Sequence, residues 1–329
     1  MELKKLIGQE AARIDQVMRE DINELEGNGF DPLLLEILDY ALFNGGKRIR
    51  PLLTILAARF CGCDDDGVHR LGTAFEYLHT ATLIHDDVID HAPERRGAVS
   101  AHEKFGLPAA ILAGDFLHAI SMERISRFGG AAALAIFCRA TSGMVDGEYH
   151  QLRNAGNLDQ SEDDYFSVIM GKTALLIGAA CEIGGLYGGG DETFRSGLKS
   201  YGLHLGCAFQ IIDDLLDYTG DPVRTGKGVG NDLGEGKMTL PLIYALRRAD
   251  VTDRAKLLSI LSEEQQRREQ VADVSLLIEK YHGFEGARKK AEEMGALAIA
   301  ALPELGERTS EAGKAVLVDL CSYVLNRDK

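Results

Sequence analysis

Apolar residues recur at helical spacing along most of the chain. Leu33, Leu34, Ile37, Leu38, Ala41 and Leu42 follow the i, i+3, i+4, i+7 pattern of an amphipathic helix. Asp31 can cap that helix, with Pro32 at its first position. The same period predicts helices at about 2–25, 48–62, 67–91, 99–105, 108–127, 131–153, 162–187, 191–218, 238–248, 254–263, 267–281, 284–301 and 307–326. Gly27-Asn28-Gly29, Gly188-Gly189-Gly190 and Gly220-Asp221-Pro222 punctuate them. Period-two runs rich in β-branched residues are few, so no sheet is expected. Neither a Pro- or Ser-rich linker nor a tandem repeat interrupts the pattern. The expectation is one all-α domain over residues 1–329, a single helical bundle.

Some helices are apolar on more than one face, notably Leu107–Ile120 and Ala131–Ala140. Such helices belong in the centre of a bundle or at a subunit contact. The Ala- and Gly-rich run Leu176–Gly185 suits close helix packing. The N-terminus is charged and amphipathic, and no window approaches about 20 uninterrupted apolar residues. A cytoplasmic protein, not integral to a membrane, is expected.

Composition narrows the classes. Of 329 residues, 45% are hydrophobic and 26% charged, a globular balance that excludes a mostly disordered chain. Acidic residues outnumber basic ones, 51 to 36, for a formal charge of −15. That excess argues against nucleic-acid binding, which needs a basic face. It leaves room for a phosphorylated ligand, because metal ions can bridge two anions. Of the six cysteines only Cys61 and Cys63 lie close together, without the further Cys or His ligands of a zinc site. Reduced thiols packed as small apolar groups are expected.

Two aspartate clusters carry the candidate chemistry: Asp86-Asp87-Val88-Ile89-Asp90 and Asp213-Asp214-Leu215-Leu216-Asp217. Both follow long apolar helical runs, which puts them near helix C-termini. On a helix, Asp86 and Asp90, and likewise Asp213 and Asp217, are i, i+4 neighbours. Like charges so placed repel, and a helix C-terminus disfavours anions further. A polyvalent cation reverses both penalties. Oxygen-only ligands point to Mg²⁺ or Mn²⁺, which combine one or two carboxylates with phosphate oxygens and water. Cations accompany the clusters: Lys47, Arg48 and Arg50 in Gly45–Pro51, then Arg95-Arg96, Lys172-Thr173, Lys227 and Lys237. Metal-binding carboxylates with separate basic groups suggest two anionic ligands, one held through metal and one directly by Arg and Lys.

In order, GGKRIRP, LIHDDVIDHAPERRG, GEYHQL, GKTALL, AFQIIDDLLDYTGD and GKGVGNDLGEGKMTLPL occupy about residues 45–241. With these motifs the chain resembles the trans-type polyprenyl diphosphate synthases, the head-to-tail isoprenyl elongation enzymes. The resemblance implies an all-α isoprenoid-synthase bundle around a central elongation cavity, commonly a homodimer. Its implied reaction joins isopentenyl diphosphate to an allylic diphosphate with Mg²⁺. It assigns Asp86, Asp90 and Asp213 to three Mg²⁺ ions on the allylic diphosphate, with Asp87, Asp214 and Asp217 as direct or water-mediated helpers. Arg95, Lys172, Lys227 and Lys237 would contact the allylic diphosphate. Lys47, Arg50, His79 and Arg96 match positions that hold isopentenyl diphosphate, and Thr173 and Gln210 match polar residues facing the carbocation. No covalent nucleophile is required. The departing pyrophosphate is the implied base.

Product length follows from the helix before Asp86. Thr82, Ala81, Leu78, Phe75 and Ala74 should line the face that carries the tail. In the resembled family, bulky aromatics four or five positions before the first aspartate shorten the product; here Thr82 and Ala81 are small. One isoprene is about as long as one helical turn of 5.4 Å, so growth should run for several turns. Leu78 obstructs only partly, and Phe75, or Phe137 from another helix, is the candidate floor. GEYHQLRNAGNLDQSEDDYFSVIMGKTALLIGAAC and the two-residue spacing before Asp90 resemble the long-chain, quinone-tail branch. The expected product has about six to ten isoprene units, octaprenyl favoured, with farnesyl diphosphate as primer and a transient membrane contact for release. The alternative is a geranylgeranyl product.

Three other readings compete. A metal-dependent phosphohydrolase could use His85-Asp86 with His79, His91 or His102, but it leaves the second aspartate cluster and GGKRIRP unexplained. A terpene cyclase would line its cavity with aromatics, and the chain has 7% aromatic residues and no Trp. A regulatory synthase subunit need not keep both aspartate clusters.

Overall fold

The computed structural model describes residues 3–219, 230–306 and 309–327. Its elements are α1 (Leu3–Gly27), α2 (Pro32–Leu42), α3 (Ile49–Phe60), α4 (Gly67–Ile89), β1 (Glu94–Arg95), β2 (Ala98–Val99), α5 (Ala101–Phe105), α6 (Leu107–Asn154), α7 (Glu162–Ile169), α8 (Leu175–Tyr187) and α9 (Glu192–Thr219). Then follow α10 (Asn231–Gly234), α11 (Leu240–Arg248), α12 (Val251–Leu261), α13 (Glu264–Glu269), α14 (Val271–Lys280), α15 (Gly283–Ala301) and α16 (Glu311–Leu325). The all-α expectation holds, and so do its local signals. Asp31 accepts the Leu33 N–H at 2.8 Å, with Pro32 opening α2. The break expected between 127 and 131 is Gly130, at φ 75° and ψ −175°, inside α6.

Two features depart from the expectation. β1 pairs antiparallel with β2, Glu94 opposite Val99 and Arg95 opposite Ala98. Its two-residue turn, Arg96-Gly97, has φ values of 54° and 76°, as a tight primed turn demands. The helix expected over 162–187 is also not continuous. Met170–Ala174 forms a π turn, in which the Leu175 N–H reaches back five residues to the Met170 carbonyl.

The chain forms two compact units. The first comprises Met1–Arg139, Ala179–Lys199 and Pro303–Asp319. Its core joins Ile14 and Met18 of α1, Leu38 and Leu42 of α2, Ile55 of α3, Tyr77, Ala81 and Ile84 of α4, and Ala110 and Leu117 of α6. Here α3 is the helix buried all round, from Pro51 through Ala58. Leu107–Ile120 does not take that central place: Ala110, Ala113 and Leu117 face inward, while Leu107, Ile111 and Leu112 are exposed. The close packing expected of Leu176–Gly185 is present at Gly184, where an added Cβ would stand 2.3 Å from the Thr54 carbonyl oxygen.

The second unit comprises Ala140–Gly178, Ser200–Leu302 and Leu320–Lys329. Ile211, Ile212 and Leu215 of α9 pack with Leu242, Ile243 and Leu246 of α11, Leu257 and Ile260 of α12, and Val274 and Ile278 of α14. Each such side chain contributes about 1.5–3 kcal/mol by leaving water. The π turn is wedged by glycines. Gly171 meets Gly147 of α6, and Gly206 of α9 meets Ala174.

All six cysteines are free thiols, and Cys61, Cys181, Cys207 and Cys321 are buried. Burial pushes the thiols of Cys61 and Cys321 up to about 11 and that of Cys207 up to about 12. Among the described residues, two helical stretches, Leu107–Asn154 and Glu162–Tyr187, are by length and mean composition long and apolar enough to cross a membrane. Charged side chains such as Asp115 and Lys172 interrupt them. The apolar part of Glu162–Tyr187 is mostly buried within the chain.

Candidate active site

In the first unit, the glycine-rich segment before α3 presents its cations from an unusual backbone. Gly45 and Gly46 have φ of 78° and 141°, and Arg48 is left-handed at φ 51°. Burial of the Arg48 guanidinium explains how a non-glycine residue is held there. It pairs with Glu76 at 2.7 Å and Asp15 at 2.8 Å, and donates to the Leu42 carbonyl at 2.6 Å. Lys47 stays exposed, and Arg50 lies in the first turn of α3. The hairpin divides its two arginines. Arg95 binds Asp87 Oδ1 through Nε and Nη2, both at 2.6 Å, while Arg96 donates to the Gly45 carbonyl. His79 lies among these cations. Burial, then the charges of Arg50, Arg96, Arg95 and Arg48, hold its imidazole well below its usual range, so it is neutral. Glu76 was not singled out by the sequence, and Arg48 was named only as one of three cations in Gly45–Pro51; no local signal separates it from its basic neighbours as the one paired with carboxylates.

Helix α4 ends where the first aspartate cluster was expected to lie. The Asp90 N–H closes the last turn on the Asp86 carbonyl at 2.8 Å. Asp90 is exposed, Asp86 half-buried and Asp87 buried. Burial raises the Asp87 carboxyl above its usual value despite the Arg95 charge. Further back on α4, Thr82 donates to the His79 carbonyl at 2.8 Å, and Ala74, Leu78 and Ala81 are buried. Phe75 is fully buried, edge-on to Phe137 with ring centroids 5.4 Å apart. His85 bonds the Ile111 carbonyl at 3.2 Å.

In the second unit, α9 brings Gln210, Asp213, Asp214 and Asp217 to its C-terminal turns. Each carboxylate meets a different partner. Asp213 is paired with Arg327. Asp214 is buried, accepting from Tyr165 at 2.7 Å and Gln210 at 2.9 Å. Burial, then the Asp232 charge, push its carboxyl up to about 8 against the pull of those donors. Asp217 accepts the N–H groups of Asn231 and Asp232 at 3.2 and 3.0 Å, holding the start of α10. Thr173 donates to Gln210 at 2.9 Å. Lys172 is fixed by Glu148 at 2.6 Å and Gln151 at 3.2 Å, which gives the GEYHQL segment a role the sequence did not reveal. Lys237 pairs with Glu235 at 2.6 Å and Asp232 at 3.3 Å. Lys227 lies outside the described residues.

The donor set suits a hard cation. Among the described residues no three His, Cys, Asp or Glu side chains form a closed metal cage. Oxygen-only carboxylate donors on helix ends fit Mg²⁺, which keeps water and phosphate oxygens in its shell. They fit a histidine-rich hydrolase centre poorly.

Comparison with known proteins accords with this chemistry. Residues 31–278 match the family described as Polyprenyl synthetase. The octaprenyl diphosphate synthase of Escherichia coli (strain K12) is 35% identical, over 99% of this chain and 98% of that protein. The geranylgeranyl diphosphate synthase of Saccharolobus solfataricus is 34% identical, over 90% and 91%. A crystal structure of polyprenyl synthase from Caulobacter crescentus CB15, complexed with calcium and isoprenyl diphosphate, superposes with a TM-score of 0.89. It shares 33% identity and covers 99% of this chain and 97% of that one.

Proposed function

The chain belongs to the polyprenyl synthetase family, and from that membership we propose that it condenses isopentenyl diphosphate head-to-tail onto an allylic diphosphate, farnesyl diphosphate favoured. It is a prenyltransferase, and its product is an all-trans long-chain polyprenyl diphosphate, octaprenyl favoured. The observation that carries the product class is the octaprenyl synthase relative, similar along the whole chain. Residues 1–329 act as one synthase domain in this reading, as a cytoplasmic homodimer that touches membrane only to release product. The exposed Leu107, Ile111 and Leu112 support a subunit contact.

Asp86, Asp90 and Asp213 are assigned to Mg²⁺ on the allylic diphosphate, with Asp87, Asp214 and Asp217 as helpers. The ion, when bound, supplies Lewis-acid stabilisation of the leaving pyrophosphate. Arg95, Lys172, Lys237 and Lys227 are assigned to the same diphosphate; the Glu148 and Gln151 contacts support Lys172 by fixing its ammonium. Lys47, Arg50, His79 and Arg96 are assigned to isopentenyl diphosphate. Neutral His79 can donate a hydrogen bond there without adding charge. Thr173 and Gln210 present dipoles that stabilise an allylic cation without trapping it. The buried apolar residues Ala74, Leu78 and Ala81 keep water from the tail and limit hydrolysis.

A geranylgeranyl product is the second reading. It is favoured by Phe75, whose buried ring against Phe137 lies eleven positions before Asp86, about 16 Å along the helix. Incubation with Mg²⁺, radiolabelled isopentenyl diphosphate and farnesyl diphosphate, with products dephosphorylated and sized by reversed-phase chromatography, decides. A long-chain product is expected. A geranylgeranyl product keeps the reaction and ends the open-floor reading of Ala81 and Thr82. No incorporation with any primer returns the chain to the cyclase or regulatory-subunit readings.

A further inference from the structure

Helix α13 has six residues and none of them is buried, so it adds nothing to the apolar core of the second unit. It braces instead the turn that ends in Lys237. The Arg267 guanidinium donates through Nη1 to the Leu261 carbonyl at 2.8 Å and through Nε to the Gly234 carbonyl at 3.4 Å. Leu261 ends α12 and Gly234 ends α10. Both carbonyls therefore belong to last turns, which lack intrahelical donors. A guanidinium, with forked donors and a positive charge, suits two such helix ends at once.

The turn itself has little freedom. The Lys237 N–H bonds the Asp232 carbonyl at 2.8 Å, and the Gly236 N–H bonds the Leu233 carbonyl at 2.9 Å. That pair of bonds is the closure of a Schellman motif. Gly236 is left-handed at φ 79°, and a Cβ there would stand 3.3 Å from Arg267 Cζ. The guanidinium thus lies against the backbone one residue before Lys237. At the other end, Asp217 of α9 accepts the N–H groups of Asn231 and Asp232. Gly230 is left-handed there at φ 80°, and an added Cβ would run into Val271 of α14. Helices α9 and α14 hold the start of the turn, and Arg267 holds its end.

We propose that Arg267 is a positioning residue for recognition of the allylic diphosphate: it fixes the Gly234–Gly236 backbone and so sets the place of the Lys237 ammonium. The proposal rests on the assignment of Lys237 to that diphosphate. A lysine is a point charge on a flexible stem, so the backbone beneath it decides where the stem starts. Glu235 and Asp232, which pair with Lys237, belong to the same turn. A shift of the turn therefore moves the ammonium and its partners together. Arg268 is placed differently: it is exposed and bonds Glu264 within α13.

Arg267→Met in the full chain keeps the length of the stem and removes every donor. KM for the allylic diphosphate is expected to rise about tenfold, with kcat and KM for isopentenyl diphosphate within about twofold. Arg267→Lys keeps the charge but reaches one carbonyl only, so a smaller rise in the same KM is expected; Arg268→Ala should change neither KM. In a Lys237→Met background there is no ammonium to place, and adding Arg267→Met should then leave the allylic KM within about twofold. Losses that multiply in the double variant would overturn the proposal. So would a lowered Tm with both KM values unchanged; either result makes Arg267 a helix cap alone. Should Arg267→Met fail to fold, Arg267→Lys decides by the same split between the two KM values. Wild-type protein is assayed alongside. If it elongates no allylic primer, the proposal falls with the enzyme reading. An active wild type whose Lys237→Met variant keeps its allylic KM overturns the proposal and leaves the enzyme reading standing.

Discussion

Gly171 and Gly147 meet with no space for a methyl group on either. A Cβ on Gly171 would stand 2.6 Å from the Gly147 Cα, and one on Gly147 would stand 2.8 Å from the Gly171 Cα. That approach seats the π turn directly on α6 and sets Lys172 within reach of Glu148 and Gln151. Gly171→Ala must push the two backbones apart. It is expected to cost about 1–3 kcal/mol of stability and to raise KM for the allylic diphosphate more than KM for isopentenyl diphosphate. Thermal melting and steady-state kinetics check both, and a variant with unchanged Tm would mean that the contact yields without strain.

The carboxylates assigned to Mg²⁺ can be tested one at a time. Arg327 already compensates Asp213. Asp86→Asn and Asp213→Asn should each lower kcat/KM by about a hundredfold or more, with activity recovering in part at higher Mg²⁺. Chelation should abolish turnover of the wild type and added Mg²⁺ restore it. Full activity in chelator would remove the metal from the mechanism.

The aromatic pair on α4 and α6 makes a prediction about size, not rate. Phe75→Ala opens the space beside Phe137 and should shift products to longer chains; Thr82→Phe, one turn from Asp86, should shorten them. Reversed-phase sizing reads both. Unchanged products from Phe75→Ala would place the floor elsewhere. Because Phe75 is fully buried, its truncation should also cost about 3–5 kcal/mol of stability.

Acid stability should depend on Glu10. Burial alone would raise its carboxyl, but hydrogen bonds from His69 and Arg59, with their charges, more than reverse this and hold it at about 2. A carboxyl lowered on folding stabilises above its unfolded value, near 4.5, and loses that contribution as pH falls towards 2. Wild type should exceed Glu10→Gln by at most about 3 kcal/mol at neutral pH, with the gap closing between about pH 5 and pH 2. Denaturant melts across that range test it; a gap independent of pH would mean that the carboxylate charge contributes nothing.

What was legible along the chain was what is decided locally. Asp31 and Pro32 start α2 through bonds within a few residues. Both aspartate clusters lie at helix ends because the apolar runs before them are long and periodic. The arrangement within the candidate site was less legible. Tyr165 lies 49 positions from Asp214, and Arg327 lies 114 from Asp213, so no spacing rule connects them. The left-handed Arg48 was hidden because its backbone is held by Glu76 and Asp15, which belong to other helices. The π turn was hidden too, since its residues fit the 3.6 period and only the glycine contacts of its neighbours reveal the extra residue.

The break at Gly130 has a consequence for how the longest helical run loses its structure. A continuous helix of that length would guard its amides from solvent exchange everywhere but at its two extremities. With φ at 75° and ψ at −175°, Gly130 gives the run an interior pair of ends, with amides and carbonyls that lack intrahelical partners. Its position is exposed, so water can satisfy them. Each half therefore frays from the middle as well as from its far tip, and deuterium should enter around Gly130 long before it reaches Ile125 or Phe137, both fully buried on either side.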